Sequence, residues 1–175
     1  MRSPLFPLAF VVTLSTVAGP GQSFDLPQSS QDRGVESRYS SIWPHDCTST
    51  GDGAAEGQDW VSYRCEGQGG IPVHLFFSDG VRLSLGFGER SDPFMGFRAD
   101  RERTWPIEWR GRTMGGHFVP HAAIVRMKTH PGEDGVSTNS KLIVFGLSGT
   151  TCILGEVSGR RANEDARRLA DNGRC

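Results

Sequence analysis

The residues able to do chemistry in this 175-residue chain are few and scattered. There are five histidines: His45, His74, His117, His121 and His130. A catalytic or metal-binding role needs at least two of them to converge with acids. His117 and His121 are four apart, which on a strand puts them on one face but about 13 Å apart. One metal reaches both only if the chain bends at Pro120. His45-Asp46-Cys47 sets a base, an acid and a thiol side by side, yet adjacent side chains rarely face each other, and Cys47 reads as oxidised. Gly146-Leu147-Ser148-Gly149 lacks the G-x-S-x-G order and the following helix of a nucleophile elbow. Gly86-Phe87-Gly88 has no helix after it and is no phosphate loop. Two converging carboxylates would serve glycan hydrolysis, but no spacing pairs any two of Asp79, Glu89, Asp92, Asp100, Glu102 and Glu108. Arg98, Arg101, Arg103, Arg110 and Arg112 form a basic cluster, interleaved by Asp100, Glu102 and Glu108, and so read as a solvated charged face. Trp60, Trp105 and Trp109 read as core or sheet-packing residues rather than a sugar platform. No catalytic, cofactor-binding or metal-ligating residue is assigned on these grounds.

The four cysteines carry a clearer message. Cys47, Cys65, Cys152 and Cys175 fit no cysteine zinc template, because there is no CxxC. An even count in an exported chain reads as two disulfides. Three pairings are open, and the short loops favour Cys47–Cys65 and Cys152–Cys175. Export is read from the N-terminus. Arg2 is followed by the apolar run Leu5–Ala18 and then the small-residue exit AGPGQS, the three parts of a cleavable signal. That run is 14 residues long, short of the roughly 20 that a membrane span needs. Residues 1–23 are therefore expected to be a signal peptide, cut after Ala18, Gly19 or Ser23. What remains is 18 basic against 20 acidic residues, a net charge of −2, which predicts no broad nucleic-acid or anionic-membrane binding.

The elements that must position these residues are mostly strands. Residues 24–42 are polar and read as a flexible leader or a weak edge strand, and 48–58 as a loop inside the first disulfide. From Trp60 the pattern alternates with period two. Trp60–Cys65, Ile71–Phe77, Val81–Gly88, Trp105–Trp109, Phe118–Lys128, Lys141–Leu147 and Thr151–Val157 make about seven strands. Ser78-Asp79-Gly80 marks the clearest hairpin, Pro72 suggests an edge for the strand it opens, and the stretch after Trp109 reads as turn. Phe118–Lys128 is apolar on both faces, which suits a central strand. A short C-terminal helix follows, with Asn163 as N-cap, Glu164 and Asp165 in its first turn and Gly173 at its stop. Ala162, Ala166, Leu169 and Ala170 give it a narrow apolar stripe. The expected fold is mainly β, an antiparallel curled sheet, small barrel or two-layer sandwich with one short helix, in a single disulfide-tied domain over 43–175.

Two segments also carry a resemblance. Cys47 before a Gly/Asp loop, the stretch W-x-S-x-R-C-x-G-x-G-G-I-P-V from Trp60 to Val73, and the ending N-x-x-A-R-x-L-A-D from Asn163 to Asp171 with a last Cys175 resemble a family of uncharacterised small exported alphaproteobacterial proteins. The resemblance implies export and paired cysteines; it transfers no catalytic residue. The 129–140 loop is longer here. The expectation is a periplasmic or secreted binding or accessory module that recognises an envelope protein or cell-wall component, without a cofactor, without nucleic acid, and without a membrane span once the signal is removed. The alternative is a cell-envelope hydrolase acting on glycan or peptide.

Overall fold

A computed structural model describes residues 34–78, 82–89, 94–98, 105–128 and 140–175. The expected signal peptide and most of the expected leader, Asp79, Asp92, Asp100, Glu102, Arg101, Arg103, His130 and residues 129–139 lie outside these described residues, as does the side chain of Arg98. Ten strands are seen among them: β1 (Glu36–Ile42), β2 (Thr48–Asp52), β3 (Trp60–Cys65), β4 (Val73–Ser78), β5 (Arg82–Phe87), β6 (Phe94–Arg98), β7 (Trp105–Met114), β8 (His117–Lys128), β9 (Ser140–Gly146) and β10 (Cys152–Val157). One helix follows, α1 (Ala162–Asn172).

The strands are antiparallel and fall into two leaves. The first is the meander β2-β3-β4-β5-β6; the second runs β1-β7-β8-β9-β10. A single residue pair, Arg98 with Lys128, links β6 to β8, and the ladder does not close into a barrel. The leaves face each other because each has one continuous apolar face that must leave water. Val73, Leu75 and Phe77 of β4 and Leu83, Leu85 and Phe87 of β5 supply one side. Ile107 and Trp109 of β7, Ala123, Val125 and Met127 of β8, and Ile143 and Phe145 of β9 supply the other. Aromatic rings join the leaves: Phe87 lies 4.9 Å from Phe145 and 5.6 Å from Trp109, and Phe77 lies 5.8 Å from Trp105, centroid to centroid.

β8 is central, as its two apolar faces require. Ala123 and Val125 enter the core, while Ala122 and Ile124 point out beneath α1. The helix lies on this outer face through Ala162, Ala166 and Ala170, all buried, against Ala122, Ile124, Leu142 and Val144. Alanines on both surfaces let the backbones approach closely. The result is three layers: leaf, leaf and helix.

Several expectations are corrected. Of the two readings of residues 24–42, Glu36–Ile42 takes the edge strand and not the flexible leader: it pairs with β7 over its whole length, and Ile42 is buried. The domain therefore begins before residue 43. Thr48–Asp52 is a strand paired with β3, not a loop. β7 continues to Met114 and turns through Gly115 and Gly116, with φ of 56° and 83°, into β8. Two consecutive positive-φ residues suit a two-residue hairpin turn of the type that matches strand twist. β4 is interior rather than at an edge, since the ladder begins at Val73, one residue past Pro72. Finally, Arg161, not Asn163, is the N-cap, with no side-chain cap. The Asn163 side chain instead accepts a 2.9 Å bond from Arg126 on β8, so a tertiary contact takes the group that local capping would have used.

Candidate binding cleft

Two disulfides are present. Cys47 and Cys65 join the start of β2 to the end of β3, Cα atoms 4.5 Å apart, and Cys152 and Cys175 join β10 to the tail beyond α1, Cα atoms 5.7 Å apart. No cysteine among the described residues is free.

The outer face of the second leaf, beside α1, carries a dense polar arrangement. Antiparallel register sets Ser37 opposite Arg110 and Tyr39 opposite Glu108, so these four side chains share one face. Arg167 and Asp171 are four apart on α1 and so project from one side of the helix onto that face. Asp171 accepts a two-pronged bond from Arg110, at 2.9 and 2.6 Å. Glu108 accepts from Arg167 at 2.6 and 3.3 Å and from the Ser37 hydroxyl. Arg110 also donates to Ser37, and Arg167 to the Tyr39 hydroxyl at 3.0 Å. The hydrogen bond to Glu108 raises the Arg167 pKa, keeping the guanidinium charged. Arg110 thus leaves the solvated face expected of it: its side chain is only 11% exposed, because the helix covers it.

At the C-terminal end of α1 this face opens into a cleft of about 590 Å³. Its apolar lining comes from Val35, Met114 and Val119, and its polar lining from Arg112, His121, Ser148, Asp171 and Arg174. Met114 and Val119 are 51% and 44% exposed and lie together in this one cleft. Gly146 and Gly173 also line the cleft, but for packing reasons. A Cβ on Gly146 would lie 2.5 Å from the Cys175 sulfur, and one on Gly173 2.8 Å from the Leu154 side chain.

His121 sits between the polar arrangement and the cleft. Its Nε2 is buried and has no hydrogen-bond partner among the described residues; the nearest Asp171 oxygen is 3.7 Å away. Burial lowers the His121 pKa; the Asp171 charge opposes that shift, and Arg110 and Arg112 reinforce it. The sign for stability follows from proton linkage. The folded chain holds this proton less readily than the unfolded chain does. The stabilisation is therefore whole above the ordinary imidazole value of 6.5 and is lost as pH falls through the lower folded value. Unfolding midpoints in denaturant are expected to fall between pH 7.5 and pH 5, and His121→Gln to flatten that slope. An unchanged slope in the variant would remove His121 as its source.

The other expected candidates do not gather here. His45 stacks edge-on against Trp43, His74 bonds the Gly88 carbonyl at 2.9 Å, and His117 is exposed beside the Gly115–Gly116 turn. Glu89 pairs with Arg64 at 2.7 Å on the first leaf. Trp109 is wholly buried, Trp105 packs on the core, and Trp60 stacks on Phe76 outside the first leaf. Among the described residues no three of His, Cys, Asp and Glu come together as metal ligands, and no helix is long and apolar enough to cross a membrane. Sequence reasoning passed over Tyr39, Arg167, Asp171 and Arg174. The only local trace of their role is the four-residue spacing of Arg167 and Asp171.

Compared with protein-family models, curated proteins and solved structures, the chain matches none.

Proposed function

We propose that this protein is an exported binding or accessory module that recognises an envelope protein or cell-wall component through the cleft face beside α1. One observation carries the reading. The cleft exposes Met114 and Val119 next to Arg112 and Arg174, whereas the nearby carboxylates are occupied. Glu108 is held by Arg167 and Asp171 by Arg110. A glycan hydrolase needs two carboxyl groups flanking one bond, one of them free to give a proton. Here each acid is already engaged by a guanidinium. Exposed apolar side chains at the rim of a polar face are what a recognition surface offers. Export rests on the N-terminal pattern, on two disulfides of the kind that persist in oxidising compartments, and on the resemblance to exported alphaproteobacterial proteins.

The test is affinity capture with the mature, oxidised protein on extract of its own envelope. One stoichiometric component is expected, lost when Val119→Asp places a charge at the cleft rim. Turnover of glycan or peptide by the wild type would move the reading to the hydrolase. Cleavage at Ala18, Gly19 or Ser23, read by N-terminal sequencing of the exported form, is expected alongside; an intact Met1 on the mature protein counts against export.

A further inference from the structure

The cations of the cleft differ from those beside it. Arg110 and Arg167 are each committed to a carboxylate. Arg112 and Arg174 are exposed, line the cleft, and make no ion pair or hydrogen bond with the described residues. Neither is paired with the acidic side chain that lines the same opening, Asp171, which is taken up by Arg110. Beside them lies an aliphatic wall of Val35, Met114 and Val119, with Val119 directly across the β7–β8 ladder from Arg112. The cleft's volume falls in the range of small-ligand sites, roughly 300–1,000 Å³.

We propose that this cleft binds a ligand bearing a carboxylate attached to an aliphatic group. The proposal deepens the binding-module reading and rests on it. The planar, forked guanidinium matches a carboxylate through paired N–H donors, and each such bond is worth more than a neutral one. The wall of Val35, Met114 and Val119 gives the aliphatic part a surface that removes it from water. Neither half suffices alone. A bare oxyanion leaves the apolar wall wet, and a neutral aliphatic group leaves Arg112 and Arg174 without a partner. Nucleic acid is disfavoured, because no Phe, Tyr or Trp lines the cleft on which a base could stack, and the whole chain is slightly acidic.

The test uses the oxidised, isotope-labelled protein titrated with N-acetyl-leucine, with N-acetyl-leucinamide and with inorganic phosphate, followed by NMR. The acid is expected to give saturable shifts at Arg112, Val119, His121 and Gly173. The amide, which keeps the aliphatic group and loses the charge, is expected to bind at least tenfold more weakly, and phosphate likewise. Arg112→Gln and Arg174→Gln, both exposed sites, are expected to weaken the acid about tenfold each, the scale of one charge-assisted bond, with unfolding midpoints unchanged. Equal binding of acid and amide, phosphate binding as tightly as the acid, or no saturable shift at the cleft overturns the proposal. Envelope capture separates the two readings. If a component is captured and survives both arginine substitutions, this ligand chemistry is refuted and the binding module stands. If nothing is captured and the acid still binds, the envelope partner is refuted and the site stands.

Discussion

Replacing Trp109 with alanine is expected to lower folding stability by about 4 kcal/mol. The indole is wholly buried and joins four parts of the fold. Its ring meets Phe87 of β5 edge-on, with an interplanar angle of 88°. Its N–H donates to the Ser40 hydroxyl of β1 at 2.8 Å. The turn after β3 packs so closely that a Cβ on Gly67 would lie 2.7 Å from the ring. Removing the indole leaves a cavity between two leaves, each hydrogen-bonded as a sheet, and such a cavity cannot collapse without breaking ladder bonds. Domains of this size hold roughly 5–15 kcal/mol in all, so the variant should unfold at a far lower denaturant concentration. Trp109→Phe separates the contributions: it keeps most of the apolar volume and forfeits the bond to Ser40, and should cost about 1–2 kcal/mol. Equal stability of Trp109→Ala and the wild type would mean that the two leaves do not share one core.

Substituting both Cys152 and Cys175 by serine is expected to cost about 3 kcal/mol, with the loss concentrated in α1. The bond closes a stretch of 23 residues by sequence separation, and in the chain-entropy model a loop of that size is worth about 3 kcal/mol. The helix has only 11 residues, and a helix of that length is marginal by itself. It is held by the buried faces of Ala162, Ala166 and Ala170, which are small, and by the ion pairs of Arg167 and Asp171. Without the bridge, amide hydrogen exchange should accelerate over residues 162–172 first, while β4 and β5 stay protected up to global unfolding. Uniform acceleration through the sheets would show instead that the helix is no separate unit. The same variant should also lose the carboxylate-dependent shifts at the cleft, because Asp171 of α1 and Gly173 and Arg174 of the tethered tail line it.

The seven strands with alternating or doubly apolar patterns could be read directly, because burial of one face writes a period of two into the sequence. β4 and β5 are the plainest case, with Val73, Leu75 and Phe77 registered against Phe87, Leu85 and Leu83. β1 and β2 could not be read this way. TSTGD holds no large apolar residue, and ESRYSSI holds only Tyr39 and Ile42. These are terminal strands of their leaves, made extended by the neighbour that pairs with them rather than by a face to bury. The tight turn at Gly115–Gly116 was visible as turn chemistry, but the strand leading into it, Arg110–Met114, was masked by its charge and glycine.

By itself, the sequence determined the β class, the terminal helix and its small-residue stripe, because these follow from the local spacing of apolar side chains and breakers. The tertiary structure alone decided the cleft and its charges. Tyr39 and Arg167 meet across 128 positions, and Ser37 and Glu108 across 71. Whether Arg110 is consumed by Asp171 or Arg112 left free depends on where α1 lands on the outer face of the second leaf. That landing is set by a few alanines on β8 and on the helix, whose effect is a distance between backbones and leaves no local mark on the arginines it sorts.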